Sequence, residues 1–199
     1  MKRFLVSAAL SLVMVTAASA ADTNPANVTP GSYTVEPAHT RVQFSVSHMG
    51  FTHWNGDFTG VSGTLSLDPK NIAASVVDIS IPVASISNTN ATIDAELKGS
   101  AWFDAEHFPT IRFVSTKVVK TGTNKALISG NLTFHGVTKP VVLTASFNGA
   151  GINPLDKHYT VGFEATATIK RSDFGVKTYI PLLSDETKLH ISAAFEKAA

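Results

Sequence analysis

Period-two alternation of apolar and polar residues recurs along most of the chain and restricts the fold more than any other feature. In RVQFSVSHMG, residues 41–50, Val42, Phe44 and Val46 share one face of an extended segment, and polar residues share the other. This is the pattern of a strand with one buried side. Seven further runs show a similar alternation and are separated by Gly, Pro, Asn and Asp. They lie at 54–68, 76–85, 110–119, 126–136, 141–149, 158–170 and 188–196.

Eight such runs predict an all-β fold, an eight-stranded antiparallel barrel, because closure removes exposed strand edges. An open two-sheet sandwich of the same strands is the alternative. In the second run Phe58 is out of phase with Leu65 and Leu67, which predicts a bulge between Gly60 and Gly63. A membrane-spanning barrel is disfavoured, because three Tyr and two Trp are few for two aromatic girdles and several runs are short.

The stretch between Ile86 and Pro109 departs from the strand pattern. Thr89 or Asn90 is suited to cap a short helix over 91–98, and Gly99 is suited to end it. This helical excursion falls between the third and fourth strands. We expect it either over a barrel mouth or along the side of the barrel.

The beginning of the chain has the three parts of a secretory signal peptide: a basic start at Lys2 and Arg3, an apolar run, and the small residues Ala18-Ser19-Ala20. We therefore expect cleavage after Ala20, with residues 1–20 as the signal peptide and the periplasm as the location. Residues 21–31 hold two prolines and no apolar period, which predicts a flexible leader. Residues 32–197 are then a single domain. The absence of cysteine is compatible with this location.

The charge balance excludes one class of partner. The full sequence has a formal net charge of +1, which becomes −1 when Lys2 and Arg3 are removed. The charged residues are scattered along the chain, so there is no electrostatic basis for binding nucleic acid.

The interior of an eight-stranded barrel is either filled by side chains or holds one small ligand. Large residues occupy the inward positions of the first four strands, whereas the later strands mix large with small ones. This difference predicts a channel against the C-terminal half of the barrel. A solid core, in which the small residues compensate for several Phe, is the alternative. The small inward residues are Ala126, Gly130, Ala145, Ala165, Ala167 and Ala193.

Four stretches of the chain, taken in order, resemble the YceI-like family of secreted bacterial, lipocalin-like barrels described as polyisoprenoid-binding. The resemblance covers roughly residues 31–197. The stretches are YTVEPAHTRVQFSVSHMG, FDAEHFPTIRF, SGNLTFHGVTKPVVL and IKRSDFGVK.

The resemblance implies an extended lipocalin-like barrel with an amphipathic chain threaded through an elongated apolar cavity, a periplasmic location and no catalysis. The chain departs from the family pattern at Glu36 and Thr40, where members often carry Asp and Ser. It also carries Glu96 where members often have His before a Leu. This third departure bears on polar contacts near the cavity, and therefore on the identity of the ligand.

His48 continues the apolar face of the first strand, so its imidazole is a candidate partner for the polar head of a ligand at the barrel rim. A structural histidine that bonds a backbone carbonyl is the equal alternative. The aromatic residues near 51–54 and 102–108 are expected at the cavity mouth. The predicted cavity-lining set is Phe44, Val46, His48, Phe51, Trp54, Ile81, Trp102, Phe103, Phe113, Phe134, Ala165, Ala167 and Phe174.

Three other groups of polar residues suggest alternatives. His48 and His53, with Asp57 beyond, have ligand types that hold zinc, although no compact metal motif is present. An acidic loop with a histidine, at 104–107, offers residue types that a hydrolase uses, but no nucleophile elbow accompanies it. Arg171 is expected to lock a turn with Asp173, with contact to a ligand carboxylate as the alternative.

Together these features predict a periplasmic protein that sequesters or carries a long apolar amphiphile, a polyisoprenoid or an isoprenoid quinone. A fatty acid or fatty amide is equally compatible with the composition, and an enzyme or a ligandless scaffold stays open. We expect no catalytic residue, no metal and no cofactor besides the bound lipid or quinone. We expect no transmembrane segment; transient membrane contact and pairing of two copies stay open.

Overall fold

The structure, a computed structural model, describes residues 21–198. The predicted signal peptide therefore lies outside the described residues. This part of the chain contains ten strands and one α-helix, α1 (Ala91–Lys98). The strands are β1 (Gly31–Val35), β2 (Arg41–His48), β3 (Thr52–Phe58), β4 (Ser62–Leu67), β5 (Val76–Pro82), β6 (Thr110–Lys120), β7 (Lys125–Phe134), β8 (Val137–Ile152), β9 (Tyr159–Lys170) and β10 (Glu186–Lys197).

The ten strands occupy eight positions of one closed antiparallel barrel. The β1 and β2 strands both pair with β10, one at each end of it, so they form a single interrupted strand. In the same way β4 pairs with β1 and β3 pairs with β2. The remaining strands follow in chain order from β5 to β10, and pairing of β1 with β10 closes the ring. The predicted eight-stranded barrel is confirmed.

The interruption between β3 and β4 is where the sequence predicts a bulge. Gly60 has φ +64° and Gly63 has φ +141°, both on the positive side where side chains are disfavoured. Gly63 lies opposite Ile79 in the β4–β5 pairing. A Cβ atom at Gly63 would lie 2.1 Å from the Asp78 carbonyl oxygen, so the two backbones approach more closely than any other residue allows.

Helix α1 has the predicted bounds. The Asn90 side chain accepts hydrogen bonds from the N–H groups of Thr92 and Ile93, and Gly99 follows the last turn. The helix and the segment after it bury Leu97, Trp102 and Phe103 in the barrel core. The excursion therefore covers one end of the barrel, here called the closed end, together with residues 171–185. The opposite end, formed by loops 68–75, 121–124 and 153–158, is called the open end.

The leader at 21–31 differs from the expected flexible segment, because it is docked on the barrel. Asp22 exchanges two backbone hydrogen bonds with Ala150 of β8 (2.8 and 2.9 Å). Val28 is buried in an apolar cluster with Tyr33 and Phe195. One apolar side chain, backbone pairing and hydrogen bonds from the Thr29 N–H to the Tyr159 hydroxyl (3.1 Å) and from Lys197 to the Pro30 carbonyl (2.9 Å) hold the segment, and none of these produces an apolar period in the sequence.

Among residues 21–198, no helix is long and apolar enough to cross a membrane.

Candidate functional site

The barrel encloses an apolar cavity of about 530 Å³. This volume is within the usual range for small-molecule sites. All eight strand positions contribute to the wall, so the channel is not confined to the C-terminal half as the sequence predicts. The presence of a cavity excludes the solid-core alternative. Gly130, one of the small residues taken as channel lining, is covered by the ring of Phe113 instead.

The cavity has one closed and one open end. At the closed end its wall is made by buried residues, among them Leu97, Trp102 and Leu183. At the open end the wall includes the docked leader and four exposed residues of the β6–β7 hairpin, which are Lys120, Thr123, Asn124 and Lys125. A ligand that fills the cavity is therefore surrounded by protein at one end and reaches solvent at the other.

Aromatic rings in mutual contact form the inner part of the closed end. Phe103 packs against Phe44 and Phe134, with ring centroids 6.1 and 5.4 Å apart. Phe44 also contacts Trp54 edge-on at 6.5 Å. Phe174 lies behind Phe134, at 5.8 Å. Edge-to-face contacts of this kind stabilise a rigid wall.

Nine of the thirteen residues that the sequence places on the cavity wall line it in the structure. They come from six strands and from the segment after α1. They are Phe44, Val46, Trp54, Ile81, Trp102, Phe103, Phe113, Phe134 and Ala165.

The other four predicted lining residues do not line the cavity. Phe51 lies in the β2–β3 turn beyond the packed end of the barrel and is 83% exposed. His48 ends β2, and its backbone bridges Leu183, which reaches the cavity in its place. Ala167 is short, and Leu189 opposite it lines the wall instead. Phe174 is fully buried behind Phe134.

Arg171 is the charged group at the closed end. Its side chain is 5% exposed and lines the cavity. The guanidinium donates hydrogen bonds to the carbonyl oxygens of Ser184 (2.9 Å), Leu183 (3.0 Å) and Val176 (3.3 Å). It also lies 5.7 Å from the ring centroid of Trp102. Arg171 thus fixes the loop that covers this end, although its expected partner Asp173 makes no side-chain hydrogen bond within residues 21–198.

Asp185, and not Asp173, is the carboxylate that supports this turn. It accepts hydrogen bonds from the Ser172 N–H (2.8 Å) and hydroxyl (2.7 Å). Burial by itself raises the pKa of Asp185, but the bonds from Ser172 and the charges of Arg171 and Lys170 outweigh it and lower the pKa. For Arg171, burial lowers the pKa and the Asp185 charge opposes that shift.

The depressed pKa of Asp185 gives a pH-dependent contribution to stability. The contribution is complete above the ordinary pKa of 3.8 and is lost as the pH falls through the lowered value. We expect Asp185→Asn to lower the free energy of unfolding by about 1 kcal/mol at pH 7 and to cost little at pH 2 to 3. Urea denaturation at both pH values measures this, with the exposed Asp173→Asn as control. A loss that is independent of pH would contradict the assignment.

Glu96, at which the chain departs from the family pattern, has a structural role. Its carboxylate accepts a hydrogen bond from the indole N–H of Trp102 at 3.0 Å. This bond orients the ring that contacts Arg171. Glu96 therefore acts on the closed end of the cavity through Trp102.

Two buried hydroxyls on the cavity wall have no hydrogen-bond partner among the protein atoms described. Thr187 is near the closed end, close in the β9–β10 pairing to Arg171. Ser75 belongs to the open end. Sequence analysis missed both. Thr187 immediately precedes the last predicted strand, and it continues the alternation of inward-facing positions at Leu189 and Ile191. That alternation is the sequence feature that could have identified it.

The two alternative sites are not assembled. His48 and His53 lie on opposite faces of the β2–β3 ladder, so they do not converge on one metal ion. His107 bonds Asp104 at 2.9 Å and is largely exposed, away from the cavity wall. That hydrogen bond lowers the pKa of Asp104 and raises the pKa of His107. A solvated ion pair explains this loop without a substrate.

The fold and the cavity together define a closed lipocalin-like barrel with room for an apolar ligand. Residues 33–195 match the YceI-like domain. The chain belongs to the YceI-like family. A UPF0312 protein of Vibrio cholerae is 33% identical over 195 residues, which cover 96% of this chain and 97% of the relative.

Solved structures agree with this assignment. Burkholderia cenocepacia BcnA superposes with a TM-score of 0.73 at 26% identity, covering 80% of this chain and 98% of BcnA. A polyisoprenoid-binding domain from Saccharophagus degradans, implicated in plant cell wall breakdown, has a TM-score of 0.65. It is 13% identical and covers 85% of this chain and 100% of that domain, so it supports the fold alone.

Proposed function

We propose that this protein is a periplasmic carrier that binds one long apolar amphiphile, a polyisoprenoid or an isoprenoid quinone, inside the barrel. The observation that carries the proposal is the apolar cavity, whose wall is formed by buried residues at one end and includes exposed residues at the other. Burial of apolar surface drives binding in such a site, at roughly 0.8 kcal/mol for each methylene removed from water. The Saccharophagus degradans domain, described as polyisoprenoid-binding, has the same fold.

The composition of the cavity wall supports binding and not catalysis. Its titratable side chains, within the described residues, are Arg171 near the closed end and Lys120 and Lys125 at the open end. Acid–base catalysis requires a proton donor or acceptor with a suitable pKa beside the reacting bond, which His, Asp and Glu usually provide. The His and acidic residues of the 104–107 loop lie outside the wall. We therefore infer that the protein sequesters its ligand without changing it.

Native mass spectrometry tests the proposal. The protein is purified from periplasm without detergent, weighed, and its bound molecule is extracted and identified. We expect a discrete increase in mass that corresponds to one isoprenoid lipid or quinone. A fatty acid or amide in its place would change the ligand class. A bare chain whose mass stays unchanged after incubation with polyprenyl lipids and quinones would overturn the carrier function.

A further inference from the structure

The closed end of the cavity has hydrogen-bonding capacity that the protein does not use. A guanidinium carries five N–H groups. Three of those on Arg171 reach backbone carbonyl oxygens, which leaves one N–H on each terminal nitrogen without a protein acceptor among residues 21–198. Donors that remain unpaired in a buried place are costly, so a ligand acceptor that reached them would gain more here than at the surface.

The charge of Arg171 is also incompletely balanced. Its three hydrogen-bond partners are neutral carbonyls, and although the Asp185 charge acts on it, no carboxylate of the described chain lies within 4.0 Å to form an ion pair. The oxygens of Asp185, the neighbouring carboxylate, are both bonded to Ser172. Trp102 contacts the guanidinium and lines the cavity with it. A buried cation at the end of an apolar cavity favours a negatively charged partner.

Thr187 adds a third unused group at the same end. Its residue is 7% exposed, lines the cavity, and its hydroxyl has no partner in the described structure. Thr187 pairs with Ile169 on β9, two residues before Arg171. A hydroxyl and a guanidinium that line the same end of one cavity are a suitable donor set for one oxyanion.

Apart from the buried Ser75 hydroxyl, the polar groups of the open end are in a different situation. Lys120, Thr123, Asn124 and Lys125 are exposed, so water satisfies them whether or not a ligand is bound. A head group placed there would gain little beyond hydration. The closed end offers two guanidinium N–H groups and the Thr187 hydroxyl, against the Ser75 hydroxyl alone at the open end, so a ligand head group gains more hydrogen bonding at the closed end.

We propose that the closed end of the cavity is a head-group site for an anionic lipid, in which Arg171 and Thr187 hold a carboxylate or phosphate and the apolar chain extends toward the open end. This inference rests on the proposed lipid-binding function and adds the class of head group and the direction of binding. It differs from the sequence expectation in replacing His48 with Arg171.

Two conservative variants test the position of the head. Thr187→Val removes the unpaired hydroxyl with little change of volume, and Ser75→Ala does the same for the unpaired hydroxyl of the open end. Arg171 is less suitable, because its loss also leaves three buried carbonyls without a donor. We expect Thr187→Val to weaken the binding of a long-chain fatty acid about tenfold, and Ser75→Ala, which changes the cavity wall at the tail end of the ligand, to weaken it clearly less. The opposite pattern, or no change in either variant, would overturn the proposal.

Matched lipids test the charge. A fatty acid is compared with the alcohol of equal chain length, and an isoprenyl monophosphate is compared with its isoprenol. We expect the anionic member of at least one pair to bind the wild type about tenfold more tightly, and the pair that shows it distinguishes carboxylate from phosphate. Equal affinities within both pairs would contradict an anionic head. Failure of all four probes to bind would instead contradict the lipid-binding function itself.

Fluorescence quenching tests the direction. The chain has two tryptophans, so Trp54→Phe leaves Trp102 beside Arg171 as the reporter. Fatty acids are brominated either near the carboxylate or at the methyl end. We expect the stronger quenching from bromine near the carboxylate. Stronger quenching from the methyl end would place the tail against Trp102 and overturn the proposal.

Discussion

Replacing Gly63 by Ala is expected to lower the free energy of unfolding by at least about 3 kcal/mol. Gly63 has φ +141°, where a residue with a side chain is strained. An added Cβ would lie 2.1 Å from the Asp78 carbonyl oxygen and 2.9 Å from the Ile79 Cα, both of them backbone atoms. Asp78 and Ile79 lie in the middle of β5, so their backbone moves only if the β4–β5 pairing is disturbed.

Thermal and urea denaturation measure this effect, and a loss of this size corresponds to a fall in Tm of about 6–12 °C for a domain of this length. Gly122→Ala is the matched control. Gly122 lies in an exposed turn, where the nearest atom to an added Cβ is the Lys125 Cβ at 3.5 Å, an ordinary contact. We expect its stability to be unchanged or slightly raised. Equal free energies of unfolding for the two variants would show that the backbone around Gly63 can shift at no cost, and would contradict the prediction.

Replacing Ala165 by Phe is expected to abolish the uptake of a long lipid while the barrel stays folded. Ala165 lines the cavity from β9, between Ala145 of β8 and Ile191 of β10. A phenyl ring there projects into space that is already empty, so it displaces a ligand more than it displaces protein atoms. We expect at least a hundredfold loss of affinity, because a chain that cannot pass the ring loses several buried methylenes.

Thr166→Phe is the control, because the neighbouring side chain is exposed on the outer face of the same strand. Both variants are compared by circular dichroism for folding and by titration with a fluorescent long-chain lipid for binding. Unchanged uptake by a folded Ala165→Phe protein would show that the ligand lies elsewhere. Ala167, predicted from the sequence to have the same effect, is off the wall, and we expect Ala167→Phe to reduce uptake less.

The sequence is sufficient for those features that depend on local pattern. Alternation along each strand identifies the eight positions of the barrel, and the phase shift between Phe58 and Leu65 identifies the interruption between β3 and β4. Asn90 and Gly99 mark the ends of α1 because capping is a local property. Inward residues in the middle of strands, such as Phe44 and Phe113, also follow from the alternation.

The closed end is not predictable in this way, because its side chains come from segments that are far apart in the chain. Arg171, Leu183 and Trp102 meet only after the 171–185 loop and the segment after α1 fold over the same strands. Alternation carries no information at such positions. For the same reason the alternation predicts His48 on the cavity wall, whereas Leu183, from a distant segment, lines the cavity at that place.

A cavity whose wall is buried at one end and includes exposed residues at the other makes binding sensitive to the length of the ligand chain. For a molecule held at the closed end, each methylene between that end and the rim at Lys120 leaves water and adds roughly 0.8 kcal/mol. Methylenes beyond the rim remain outside and add nothing. If the protein binds lipids as proposed, we expect short lipids to bind weakly and affinity to rise with length and then level off, so that selection acts through a minimum length without a sharp maximum.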